Sequence, residues 1–346
     1  MRRVPLLILP VVLVAMAGSA AGAEGVSAPR IAIAQTLAPP GSPDDGDLAA
    51  AQSLLRIERQ QENLDPTDPL PGQRYPWRIP RSAVDRPDER TGRLLHFVYV
   101  VASNMPDDQF DEKGILEDAA RSMNVWTRQQ TSPSKQWRLD TFTFHWDDPD
   151  TEEIEETPIE AVDVTMFRSS RPSGDLADLS NVDDELISRG LNQPNKRYLI
   201  YVASNAGGVC GEAFWTYDPR QDNFDGKYSS VYLYSSSGCR ARQFAPSPTQ
   251  PYFSESIAMQ EMLHNDGLVP PGAPNGCGPL GIPFGHVCNP ALIATPALDP
   301  NYSDVLYPFV GLPLNQKKLD EDNLDYYKTP YPLIRDLENG LYLEDA

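Results

Sequence analysis

After its first residues, the chain of 346 residues lacks any apolar run long enough to cross a membrane, which takes about 20 residues. The first run, Val4 to Met16, follows two arginines and precedes small residues ending at Ala23. This layout is typical of a cleavable secretory signal. We therefore predict a signal peptide over residues 1–23, a secreted or periplasmic location, and no membrane insertion.

Basic residues are also scarce, since 29 Lys and Arg stand against 49 Asp and Glu, giving a formal net charge of -20. Binding to nucleic acid or to an anionic membrane depends on clustered Lys and Arg. The composition therefore excludes nucleic acid as an expected partner. It is typical of a solvated acidic surface on an exported protein and leaves a peptide or protein ligand open.

Cysteine is missing from the first half of the chain and occurs four times in the second, at Cys210, Cys239, Cys277 and Cys288. An even number of cysteines in an oxidising compartment usually forms disulfides. The spacing favours Cys277 with Cys288 and Cys210 with Cys239, among three pairings that the sequence allows. A cysteine-only zinc site would need close pairs, which are absent.

Two further patterns are missing, a nucleophile elbow around Ser or Cys and a Gly-rich loop after a strand. Their absence argues against a serine hydrolase and a nucleotide-binding protein. Of the four histidines, His96 lies inside an apolar run and is expected to be a hydrogen-bonded core residue, while His145 is expected at an exposed strand end. The acidic stretches 147–156 and 218–226 are expected to be a solvated loop and a polar turn, because neither has calcium-loop spacing.

The local patterns predict an α+β domain with a mixed β-sheet and a Pro/Gly-rich C-terminal lobe over residues 89–346. Residues 24–88 are rich in proline and poor in apolar residues, so we expect a largely disordered linker or pro-region that holds at most one helix, 47–64. Apolar periodicity predicts the main elements of the domain. These are a strand over 94–101, a helix over 111–130, a strand over 137–145, a helix over 174–189, strands over 197–204 and 229–235, and a helix over 253–266 ended by Gly267.

The last helix has the composition of an active-site helix. Gln260, Glu261 and His264 share one face by helical spacing, and most of the other positions are apolar. Such a polar stripe must face either a water-filled cleft or internal partners, because an unpaired carboxylate or imidazole is costly to bury.

The stretch Gln260 to Gly267 differs by one residue from the zincin signature H-E-x-x-H-x-x-G. In that signature the two histidines bind zinc and the glutamate is the general base. Gln260 stands at the first histidine. Glu261 and His264 keep the other two positions, although E-x-x-H alone is a common pattern.

The segment from Ser256 to Tyr327 resembles a bacterial family of secreted zinc metallopeptidase-like proteins, and the upstream stretches Arg197–Tyr201 and Gly208–Gly211 match the same family. The resemblance implies a zincin-like fold. The matching residues after the helix are Gly267, Val269, Pro270, Ala273, Pro274, Gly285, His286, Cys288, Asp304, Tyr307, Leu319, Asp320, Asp325, Tyr326 and Tyr327.

Four positions depart from the family pattern: Leu306 stands at a Met and Asn289 at an Asp, and the other two departures fall on the metal site. Gln260 replaces the first zinc histidine, and Asn275 replaces a histidine that the resemblance implies as third ligand. A carboxamide is a weak zinc ligand, and catalytic zinc normally has three protein ligands. His286 and Asp304 are the remaining candidates for an altered site with His264 and Glu261.

The sequence therefore predicts a secreted metallopeptidase-like protein that is catalytically inactive, with Glu261 as a vestigial general base, no bound cofactor and a retained peptide-binding cleft. Two alternatives stay open. One is an active zinc metallopeptidase with altered ligands, and the other is a structural or surface-interaction protein with no ligand in the cleft.

Overall fold

The computed structural model describes most of the region after residue 71. Four predicted features lie outside the described residues: the signal, the helix 47–64 and the acidic stretches 147–156 and 218–226. The described residues are 31–36, 72–146, 157–215, 227–235, 237–269, 273–277, 285–289, 292, 296–309, 311–320, 323–331 and 336–346. Within them, no helix has the length and apolarity needed to cross a membrane.

A mixed sheet lies at the centre of the domain, in the order β1-β8-β9-β7-β2-β6. Strand β2 runs parallel to β7 and β6, and β7 runs parallel to β9, whereas β8 is antiparallel to β9 and to β1. The six strands are β1 (Ile31–Thr36), β2 (Leu94–Val101), β6 (Val164–Arg168), β7 (Lys196–Ala203), β8 (Val209–Trp215) and β9 (Tyr228–Tyr232).

Both faces of this sheet are covered, which explains why β2 and β7 are continuous apolar runs. Alternate residues of β2 enter two separate cores: Phe97 and Tyr99 belong to one, and Val98 and Val100 to the other. Helices α1 (Ile115–Gln130) and α3 (Phe253–Asn265) pack in the first core. Helix α2 (Leu179–Ser188) packs in the second.

The elements predicted for the domain are present, but several differ in their bounds; the strand predicted over 229–235, for example, ends at Tyr232. Helix α1 begins after Gly114, whose positive φ of 73° is not helical. The strand predicted over 137–145 is split into β3 (Lys135–Trp137) and β4 (Thr141–Trp146), which pair with β10 (Leu343–Asp345) and β5 (Thr157–Val162) respectively.

The helix predicted over 174–189 is interrupted at Asp178. A 3-10 turn, Asp175–Ala177, comes before Asp178. The Asp178 carboxylate accepts a hydrogen bond from the Ser180 N–H at 2.8 Å, so Asp178 is the N-cap of α2.

Residues 72–88 pack on the domain and do not form part of a disordered linker. Most of their contacts are polar, although Ile79 and Trp77 also pack against Phe142 and Ala161. A pattern based on apolar periodicity therefore places the domain boundary at 89 and misses them. The ion pairs of this segment with the domain include Arg74–Asp118, Arg81–Asp107, Arg81–Asp111, Arg81–Glu112, Asp85–Lys196, Arg86–Asp163 and Asp88–Lys196.

The structure joins Cys210 to Cys239 and Cys277 to Cys288, the two pairs that the spacing favours. The first disulfide ties β8 to the turn after β9. The second closes a short loop in the C-terminal lobe.

Candidate functional site

Helix α3 lies in the interior, and all thirteen of its residues are buried. At its first turn the Glu255 carboxylate accepts hydrogen bonds from the Tyr252 and Ala245 N–H groups, and burial raises the pKa of Glu255 to about 7. The helix ends as predicted at Gly267, which has a φ of +68° and donates its N–H to the His264 carbonyl.

The polar stripe on α3 is closed off from solvent. Gln260 is 1% exposed, and Glu261 and His264 are 0% exposed. Neither Glu261 oxygen and neither His264 ring nitrogen has a hydrogen-bond partner among the described residues. The expectation that this stripe faces either a cleft or internal partners is therefore wrong for Glu261 and His264, which lie in the core and have no hydrogen-bond partner in the described part of the chain.

Gly211 on β8 is the residue that allows Glu261 to approach the sheet. A Cβ atom at position 211 would lie 2.7 Å from Glu261 Cγ and 2.7 Å from the Ser230 carbonyl oxygen. Because real Cβ atoms do not come this close to other heavy atoms, only glycine fits. The Glu261 side chain thus lies flat against the backbone of β8.

Burial also sets the charge of both groups. Burial raises the pKa of Glu261 well above its ordinary value of 4.5, and the nearby Glu212 carboxylate raises it further. Burial lowers the pKa of His264 well below 6.5, and His286 lowers it further. Burial therefore favours the neutral form of both side chains. A general base has to be ionised and within reach of its substrate, whereas burial disfavours the ionised form of Glu261 and keeps its carboxyl away from solvent.

His286 is the predicted alternative ligand that the fold does bring to α3. Its ring centroid lies 4.6 Å from that of His264, with an interplanar angle of 68°. Its carbonyl accepts the Cys277 N–H, so the disulfide between Cys277 and Cys288 holds the short loop that presents it.

Asn275 and Asp304 instead line a separate hollow of about 480 Å³ in the C-terminal lobe, to which α3 contributes no residue. The backbone N–H and the Nδ2 of Asn275 both donate to the Asp325 carboxylate, at 2.8 and 2.9 Å. Asp304 accepts hydrogen bonds from the Leu306 N–H and the Tyr326 hydroxyl, and burial raises its pKa to about 8. Both residues are thus occupied in holding the lobe together.

The donors around α3 do not fit a zinc ion. His264 and His286 could offer two imidazoles, but a catalytic zinc needs a third protein ligand and an open position for water. Among the described residues, the ligand atoms of Glu261, His264, His286 and Asp304 are not gathered within 4.8 Å of one another. The Glu261 carboxyl is also fully buried, so it has no contact with solvent in this structure.

The described residues do contain another group that could supply metal ligands, and sequence patterns gave no sign of it because its members come from four distant segments. Asp85, His96, Asp140 and Asp163 have ligand atoms within 4.8 Å of one another.

Protein groups already hold this cluster. The Lys196 ammonium lies 2.6 Å from Asp85, Asp88 and Asp140. The His96 nitrogens hydrogen-bond Asp140 and Thr165, at 2.8 and 2.9 Å, which confirms the expected hydrogen-bonded core histidine. We interpret the group as an ion network that ties residues 72–88 to the sheet.

Comparison with models of known protein families gives no match, and comparison with curated proteins gives none either. The structure of catalytically inactive OgpA from Akkermansia muciniphila, in complex with an O-glycopeptide substrate, is similar over 44% of this chain and 37% of its own. The sequence identity is 13% and the TM-score is 0.23. A likeness at this TM-score supports no conclusion about fold or function.

Proposed function

We propose that the chain is an exported, zincin-like protein related to the zinc metallopeptidases, that it has no peptidase activity, and that it acts by binding a peptide or protein partner. The observation in favour is the state of α3. The two residues that keep the zincin pattern, Glu261 and His264, are buried, and neither has a hydrogen-bond partner in the part of the chain that the structure describes. Burial favours the neutral form of each, raising the pKa of Glu261 and lowering that of His264. A carboxyl and an imidazole in that state cannot activate water.

One observation favours the rival, an active enzyme with altered ligands. His264 and His286 lie side by side, and both His264 nitrogens are unsatisfied. If the core opened to admit a metal, these two imidazoles would be its first ligands. The third possibility, a structural protein, predicts neither metal nor a peptide ligand.

Metal analysis and a cleavage assay on the purified, exported protein separate the first two functions. We expect far less than one zinc per chain and no hydrolysis of an unstructured protein substrate. About one zinc per chain that is lost in His264→Ala, and kept in the matched control His145→Ala at an exposed position, would establish the rival.

Restoring the missing ligand tests the relationship itself. Helix α3 already holds His264, whose ring lies next to that of His286 from another segment. Gln260→His would add a second histidine to the helix and a third imidazole to the group. We expect this variant to gain zinc binding, since three imidazoles form a complete catalytic ligand set. If Gln260→His gains no zinc while it still folds, the assignment of α3 as a former metal helix is wrong.

A further inference from the structure

An arginine-lined groove runs along the outer side of α1. One hollow, of about 650 Å³, lies between α1, β3 and the rim at Pro248 and Thr249. A second, of about 590 Å³, adjoins it and shares Glu89 and Arg90 with it. We refer to the two together as the arginine groove.

Four arginines line this groove, Arg90, Arg121, Arg128 and Arg138. The chain as a whole carries a formal charge of -20, so a groove with this many cations departs from the rest of its composition. Three acidic residues, Glu89, Glu160 and Glu344, also line it, which leaves the lining with a net charge of +1 by difference.

Two of these three carboxylates are already bound within the protein. Glu89 accepts the N–H and the hydroxyl of Thr143, at 2.9 and 2.8 Å. The Glu344 carboxylate accepts hydrogen bonds from the guanidinium groups of Arg90 and Arg138. Burial alone would raise the pKa of Glu344, but the hydrogen bonds from these arginines and from Gln136 lower it.

Arg128 and Arg121 keep donors available. Arg128 uses Nη1 for a hydrogen bond to Gln136 Oε1, at 2.7 Å, and makes no ion pair with any residue that the structure describes. Arg121 binds the Glu117 carboxylate through Nε at 2.6 Å and the Glu160 carbonyl through Nη2 at 3.3 Å. A guanidinium has five N–H donors in a planar fork that matches a carboxylate. Both arginines can therefore donate their remaining N–H groups to a bound anion.

The spacing of these two arginines suits an extended chain. Arg121 and Arg128 are seven residues apart on α1 and therefore lie on the same side of the helix, about 10 Å apart along its axis. Side chains that share one face of an extended peptide are two or four residues apart, about 7 or 13 Å, so the spacing of the two arginines lies between these values and their long side chains can adjust to either. The buried Trp137 and Leu139 at the bottom of the hollow add an apolar floor.

We propose that the arginine groove binds an extended acidic peptide segment of a partner protein, with its carboxylates on Arg121 and Arg128. The choice of a peptide rests on the proposed function, whereas the choice of an acidic ligand rests on the groove alone. The site shares no residue with the polar stripe of α3.

The test uses fluorescein-labelled ten-residue peptides with two Glu residues two or four positions apart, so that both carboxylates share one face of the extended chain, and the same peptides with Gln at both positions. Fluorescence anisotropy with the full exported protein should show binding of the Glu peptides that weakens as salt is raised. Arg128→Gln and Arg121→Gln should each weaken binding about tenfold, because each removes a charge-assisted pair. The matched control Arg189→Gln, at the exposed residue that follows α2, should bind like the wild type.

Equal affinity for the Glu and Gln peptides, or wild-type affinity in both arginine variants, would overturn the proposal. Binding only of a sulfated oligosaccharide, used as a second probe, would overturn the choice of a peptide. The groove proposal and the proposed function can fail separately. Stoichiometric zinc with peptidase activity would refute the proposed lack of catalysis, and binding of acidic peptides in the groove would still support the groove proposal.

Discussion

Replacing Glu261 by Gln should change how the stability of the protein depends on pH. The folded state holds the Glu261 proton at a pKa well above 4.5, whereas the unfolded chain releases it near 4.5. Between these two pKa values the folded state binds more protons than the unfolded state, so the wild type loses stability as the pH rises. Gln has the same shape but does not titrate, so the variant lacks this loss.

The size of the effect follows from proton linkage. Each pH unit in this window destabilises the wild type by up to about 1.4 kcal/mol relative to Glu261→Gln, because the two states differ by up to one bound proton there. His264 titrates in both proteins, and its contribution to the difference cancels. Urea unfolding at pH 5, 6, 7 and 8 measures the difference in the free energy of unfolding.

A matched variant, Glu160→Gln, should show a flat difference across this range, because Glu160 is exposed on β5. If the Glu261→Gln difference is also flat, the Glu261 carboxyl ionises as easily in the folded protein as in the unfolded chain. It would then face water or hold a cation. That result would refute the sealed core and favour the metal-binding rival.

Two further substitutions test the packing around the site and the ion network. Gly211→Ala should destabilise the fold by about 1–3 kcal/mol, since its Cβ would overlap Glu261 and the Ser230 carbonyl. Adding Glu261→Ala should recover only part of this loss. Wild-type stability in the single variant would contradict the close packing of Glu261 on Gly211. Lys196→Met should lower the free energy of unfolding, measured by chemical denaturation, by about 3–5 kcal/mol, because it leaves the buried Asp140 carboxylate with too little positive charge. A loss of less than 1 kcal/mol would show that the ion network is solvated.

The sequence predicts the centre of the fold well because the physics there is local. Strands β2 and β7 are covered on both faces, so apolar residues follow one another along most of each strand. Helix α3 is recognisable from its apolar composition and its terminal Gly267, and the disulfides follow from cysteines that are close in sequence.

Contacts that join distant segments could not be predicted in this way. Residues 72–88 dock through ion pairs, which leave no apolar period in the sequence. A polar stripe on a helix has the same spacing whether it faces a cleft or a sealed core, so the burial of Glu261 was not readable from α3 alone. The arginine groove brings together Arg90, Arg128 and Arg138 from separate elements, and only the fold makes them neighbours.

A protein cannot act on a peptide at atoms that the peptide cannot reach. The zincin-like residues of α3 lie under 0–1% exposed surface, whereas the free donors of Arg121 and Arg128 lie in an open groove on another side of α1. Any ligand that leaves the core intact must therefore be recognised outside α3, and variants of Glu261 should alter stability without altering peptide affinity. Variants of Arg128 should do the opposite, so the two sites can be tested independently in the same protein.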